Sequence, residues 1–183
     1  MAKVKKTVLP VGKHVSPDGV VDVTADRVNR WVEKFNQLKS SGVEFPVSWG
    51  HAFEATPDNA SFLASRFNAG YIDQIFANAE GGLDAIFDCP GLEVEPDGRL
   101  VGVAKLPEEQ GGGVVKTAIK EVSAGIWNSW TDGKGQKHKD IIAHIALTPL
   151  PVVAGQSGFA AALGTLGSYK LDSTFQKPAG VSL

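Results

Sequence analysis

"AGYIDQIFANAEGGLDAIFDC", residues 69 to 89, carries apolar side chains in two alternating runs on either side of a glycine-rich centre. Tyr71, Ile72, Ile75 and Phe76 fall in the first run, and Leu83, Ala85 and Phe87 in the second. Alternation puts successive side chains on opposite faces of an extended chain, and the Gly81-Gly82 pair supplies the turn, so the stretch predicts a β-hairpin.

The same pattern continues downstream. "EPDGRLVGVAKL" (95–106) is a Pro-Asp-Gly turn feeding a strand, and "EVSAGIWNSW" (121–130) and "IIAHIALTPLP" (141–151) are strands flanking the polar turn "TDGKGQKHKD". "GVVKTAIK" (113–120), after three glycines, suits a short helix. Upstream, "VSPDGVVDV" (15–23) predicts strand, turn and strand, because Pro17 presets φ and Gly19 supplies the positive φ that closes the turn. A helix follows: Thr24 can cap "ADRVNRWVEKFNQLKSSG", where Val28, Trp31, Val32, Phe35 and Leu38 recur at helical spacing and Gly42 offers the stop. "VEFPVSWGH" (43–51) is a short strand ending in a loop, and "EATPDNASF" (54–62) is polar enough to be a surface loop. The sum is six to eight strands, one long amphipathic helix and one or two short ones, which predicts a mostly antiparallel barrel or sandwich with attached helices. From Ala154 onward the chain is rich in Gly, Ala and Ser, so the expected division is a domain over 1–154 and a flexible tail or docking arm over 155–183.

Composition narrows the function. Of 183 residues, 43% are hydrophobic and 21% charged, which suits one soluble domain with a full core. A net charge of −2, from 18 basic and 20 acidic residues, leaves no electrostatic footprint for nucleic acid. Cys89 is the single cysteine, which excludes an internal disulfide and a paired-cysteine metal site and points to a reducing compartment. No run approaches the roughly 18 apolar residues of a membrane span. The chain contains no phosphate-binding glycine loop, no zinc-protease helix motif and no nucleophile elbow. Neither a cofactor nor a metal is expected.

Three residues stand out. His51 ends "PVSWGH" where a strand meets a polar loop. His144 interrupts the apolar run "DIIAHIALTPLP" and by alternation shares a face with Ile142 and Ala146, a costly place for an imidazole without a partner. Ser123 sits in "EVSAGIW" among residues that look structural. Each has an ordinary structural explanation alone.

In serial order, with each member on or beside a strand, they make the chain resemble the phage prohead maturation proteases, especially the Mu-like I-protein group, whose wider clan includes the herpesvirus assemblin proteases. The resemblance covers residues 8 to 154: the early Pro-Asp-Gly turn and amphipathic helix, then "FPVSWGH", "AGYIDQI", "GGLDAIFD", "VKTAIKEVSAGIW" and "HIALTPLP". It implies an antiparallel herpesvirus-protease-like barrel with Ser123 as nucleophile, His51 as the base and His144 as the third member that orients the base. Asp140 and Glu121 are the acidic alternatives for that third place, as used by many phage members, and "EEQGGGVVK" (108–116) is a candidate source of oxyanion donors. It also implies a serine endopeptidase that cuts scaffold and major capsid protein, and its own tail, inside the immature phage head in the host cytoplasm, with self-association left open. The rival expectation is a non-catalytic cement, decoration or scaffold-core protein on the same fold.

Overall fold

A computed structural model of the chain describes residues 3–16, 19–50, 68–105, 114–149, 151, 153 and 156–162, with backbone alone at 103–105, 114–117 and 161. The expected hairpin is its centre. Strands β5 (Asn68–Ala77) and β6 (Leu83–Asp88) pair antiparallel from Tyr71↔Asp88 to Ala77↔Leu83. Asn78 builds the turn between them: its Oδ1 accepts from the Glu80 and Gly82 amides, and its Nδ2 donates to Asp84, the side-chain turn that asparagine forms readily.

The sheet grows outward from this pair. On one side β6 pairs antiparallel with β1 (Lys3–Leu9). On the other, β5 pairs with β4 (Pro46–Trp49), β4 runs parallel to β11 (Lys137–Leu147), and β11 pairs antiparallel with β10 (Val122–Thr131). The order is β10-β11-β4-β5-β6-β1, with the two-residue β12 (Ala160–Ala161) added beyond β1. Two smaller ladders complete the strands: the hairpin β2 (Gly12–Ser16) and β3 (Gly19–Val23), and the three-stranded β7 (Glu93–Val94), β8 (Leu100–Lys105) and β9 (Val114–Ile119).

Helix α1 (Ala25–Ser40) matches its sequence signals. The Thr24 hydroxyl accepts from the Arg27 amide, Asp26 lies in the first turn and Lys39 in the last, and Gly42 takes φ 94° after the Ser41 cap. Val28, Trp31, Val32, Phe35 and Leu38 are its buried stripe, and Phe35 stacks on Phe45 at 4.6 Å. At about 2 kcal/mol per buried side chain, that stripe supplies roughly 10 kcal/mol of gross stabilisation. Arg27 pins the helix to β11 through a bidentate pair with Asp140 at 2.7 and 3.0 Å.

Two expectations change. The short helix expected over 113–120 is strand β9, paired with β8 from Lys105↔Val114 to Leu100↔Ile119. Val114, Val115, Thr117 and Ile119 are β-branched and fit a ladder better than a helix. Among the described residues α1 is the only helix. In place of the expected antiparallel barrel the sheet is mixed, and among the described residues it forms no closed barrel. Its ends, β10 and β1, touch without forming a ladder.

Residues 156–162 cross that seam, so the boundary expected at 154 does not hold for them. The Gln156 amide bonds both backbone groups of Val122 on β10, Phe159 is 4% exposed, and β12 pairs with β1. Gly98 and Gly158 meet face to face, where a Cβ on either would come within 2.8 Å of the other's backbone. The pair lets the Phe159 amide reach the Gly98 carbonyl at 2.8 Å. The segment is apolar enough at Phe159 and small enough around it to pack, which a Gly/Ala-rich composition conceals. Residues 163–183 of the expected tail lie outside the described residues.

The same segment covers Lys6, which is 2% exposed, donates to the Ser157 carbonyl and stands 4.8 Å from the Phe159 ring centroid. Burial lowers its pKa from 10.5 to about 8, against the opposing pull of the Glu121 carboxylate. Below about pH 8 both folded and unfolded chains hold the proton, and the fold bears the whole cost of the buried ammonium, about 3 kcal/mol for a shift of this size. Between about pH 8 and 10.5 the folded state has released its proton and the unfolded state has not, so stability rises with pH. Denaturant melts of wild type and Lys6→Met across this range should show the wild type gaining up to about 3 kcal/mol relative to the variant. Parallel pH curves for the two proteins would mean that the ammonium carries no such cost.

Candidate active site

Strand register brings Ser123 and His144 together on one face. Ser123 lies opposite Ala146, and Gly125 opposite His144, with no irregularity between them. Residues two apart share a face, so Ser123 and His144 are diagonal neighbours, a spacing of roughly 7–8 Å between Cα atoms that a long side chain can span. The row through Ser123 continues to Ala146 and Ser48, and all three are at most 6% exposed. The opposite face carries Val122, Ile145, Leu147 and Val47, every one of them core. One face of these strands is thus apolar core, while the other is small, polar and equally buried.

Gly125 makes room for the imidazole. A Cβ built there would lie 2.1 to 2.6 Å from three ring atoms of His144, so the ring occupies the space that any other residue's side chain would fill. A glycine in a strand interior costs stability unless something approaches closely, and here it does. The register shift that follows separates His144 from Ile142, so the simple alternation grouping those two ends at this point, while the grouping with Ala146 stands.

His51 lies outside the described residues. The chain is fixed up to the residue before it. Gly50, at φ 68°, donates its amide to the Leu147 carbonyl at 2.9 Å, and its own carbonyl accepts from the Ser48 hydroxyl at 2.7 Å. The end of β4 is therefore tied beside the end of β11, within the row that carries Ser123. Residues 108–113 of the glycine-rich stretch also lie outside the described residues.

The alternatives sit elsewhere. Asp140 is engaged by Arg27; burial acts to raise its carboxyl, and the guanidinium overrides this and holds it below the usual range. Glu121 is half-buried one residue before β10, on the side of Lys6. Ser129 is exposed and faces Lys139 far along the hairpin. Trp127 and Trp130 pack partly against the core. The Cys89 thiol is fully buried and pushed up to about 12 by desolvation, which removes it as a nucleophile.

Sequence reading missed three contributors. Gly125 was legible in principle as a lone glycine inside an alternating strand. Ser48 was legible only as another small polar residue beside His51. Gln156, whose amide meets Val122 next to Ser123, had no local signal. Neither of two surface cavities, of about 750 Å³ beside Tyr71 and about 390 Å³ beside His138, is lined by Ser123 or His144. Among the described residues no three His, Cys, Asp or Glu side chains converge to hold a metal. No family model, no curated protein and no solved structure matches the chain.

Proposed function

We propose that the chain is a serine endopeptidase with Ser123 as nucleophile, His51 as general base and His144 as the residue that orients the base. The observation that supports it is the buried polar face on which Ser123 and His144 are diagonal neighbours, with Gly125 cleared for the ring. The buried hydroxyl and imidazole set this face apart from the apolar core on the other side of the same strands. Acyl transfer would use them in turn: the base takes the Ser123 proton as Oγ attacks the scissile carbonyl, and the third member fixes the base's tautomer and steadies the imidazolium. A neutral imidazole brings no full negative charge to that role, so the reaction is slow by the standard of a carboxylate-assisted triad.

The substrates in this reading are the scaffold and major capsid protein of an immature phage head, and the chain's own C-terminal segment. They rest on the serial likeness of residues 8–154 to prohead proteases.

A fluorophosphonate probe tests the chemistry without a known substrate. Attack by Ser123 Oγ forms an O–P bond, expels fluoride and releases the proton to the base. Mass spectrometry should place one adduct on the peptide holding Ser123. Gly125→Ala, which drives a methyl into the His144 ring, should slow labelling about a hundredfold, because a displacement of about 1 Å in a catalytic array costs that much. Labelling at Ser129 or at no serine would overturn the assignment.

A further inference from the structure

We infer that the cavity of about 390 Å³ between the C-terminal end of α1 and the β10–β11 turn binds a small neutral N–H heteroaromatic molecule, which donates its N–H to Nδ1 of His138. The cavity lies at Trp130, seven positions along β10 from Ser123 and on the order of 20 Å away, so it works separately from the proposed peptidase site.

The turn between the two strands fixes which nitrogen of His138 is available. Asp132 Oδ1 accepts from the Lys134 and Gln136 amides, and its Oδ2 accepts from His138 Nε2, each at 2.9 Å. The bond from His138, more than any other contact, holds the Asp132 carboxyl below the usual range, so it stands as a carboxylate. A carboxylate only accepts, so in the neutral imidazole the proton is on Nε2 and Nδ1 carries a bare lone pair. His138 is 3% exposed and lines the cavity, and none of the described residues donates to its Nδ1. One ring nitrogen is enough to close the turn. The other is a buried acceptor, costly while unpaired, that gains a bond only when a donor is brought to it.

The lining sets the rest of the ligand's chemistry. Leu38, Val43 and Trp130 give the cavity apolar walls, and its volume falls in the range of small-molecule pockets. The Trp130 and His138 rings are 5.4 Å apart and tilted by 30°, so a flat aromatic body extends a stack already begun. Ser41 adds a second acceptor, because its hydroxyl proton is already given to the Leu38 carbonyl at 2.8 Å. A molecule bound here must therefore bring a donor. It need not bring a positive charge, since the Asp132 carboxylate is held by three donors and Lys134 lines the same opening. Nδ1 is itself covered, and the half-buried Trp130 stacked on the imidazole is the side chain that turns to admit the donor.

The test titrates the full chain, with its histidine rings labelled with nitrogen-15, against indole and against 1-methylindole, which has the same aromatic body and no N–H. The free protein should show His138 protonated at Nε2 and bare at Nδ1. Indole should move the Nδ1 resonance upfield in a saturable way. 1-Methylindole should bind about tenfold more weakly and leave that resonance in place, the difference expected for one hydrogen bond to a buried acceptor. His138→Phe keeps a ring and removes both nitrogens, so it should bind the two indoles equally; where that variant does not fold, the two ligands on wild-type protein decide alone. Equal binding of both by wild type would mean that the apolar walls hold the ring without Nδ1, and would overturn the inference. An Nδ1 resonance unmoved by indole, or a proton found on Nδ1 in the free chain, would overturn it as well.

Discussion

Ser123→Ala is expected to abolish processing while the protein keeps its fold. In the proposed reaction the hydroxyl is the nucleophile, and among the described residues neither Cys89, buried with its thiol pushed up to about 12, nor Ser129, exposed at the far end of the hairpin, is placed to replace it. The expected loss in turnover is on the order of a millionfold, the scale seen when the attacking atom of a triad is removed. Stability should change by less than about 1 kcal/mol, because a methyl fits where CH₂OH stood and opens no cavity. His51→Ala should be as damaging, since the two act as a unit. His144→Ala should leave a measurable rate, because nucleophile and base remain and only their orientation is loosened. The order of severity is the claim, and co-expression with scaffold protein reads it. Wild-type activity in His144→Ala together with loss in Glu121→Ala or Asp140→Ala would move the third role to a carboxylate. Stoichiometric retention of the chain in mature heads, unaffected by Ser123→Ala, would replace the enzyme with a cement protein.

Legibility in the sequence followed the range of the forces involved. The hairpin at 69–89 and helix α1 are encoded by neighbours in the chain, through alternation, an asparagine turn and a threonine cap, and they stand as read. The parallel pairing of β4 with β11 joins residues about a hundred positions apart, and nothing in either segment names its partner. The short helix failed where β-branched Val114, Val115 and Thr117 found an antiparallel neighbour in β8. At the site, alternation placed His144 on the face of Ala146, but the closeness of Ser123 is a property of register, set by the whole β10–β11 hairpin. The lone strand glycine at 125 is visible in the sequence, but that the His144 ring fills the space of its missing side chain is a matter of geometry.

Truncation after Gly155 should unfold or severely weaken the protein, whereas truncation after Ala162 should not. The shorter chain loses Phe159, whose ring lies 6.2 Å from that of Phe87 and under the Lys6 ammonium. Removing a buried phenylalanine costs about 3–5 kcal/mol. It also loses both Gln156 bonds to Val122, the Phe159 amide bond to Gly98, and the β12 pairing that ends with Ala162 donating to Lys3, at about 1 kcal/mol each. Lys6 is left without its carbonyl partner in an apolar surround, although access to water would relieve part of that cost. The sum is comparable with the whole stability of a typical domain, about 5–15 kcal/mol. Calorimetry should therefore show the 1–155 chain with no cooperative transition or with Tm lowered by more than about 15 °C, and Phe159→Ala in the full chain should reproduce a large part of the loss. The 1–162 chain keeps every one of these contacts and should melt within a few degrees of wild type. Equal melting of the 1–155 and full-length chains would mean that the seam between β10 and β1 holds without its bridge, and that the segment's packing contributes nothing to the fold.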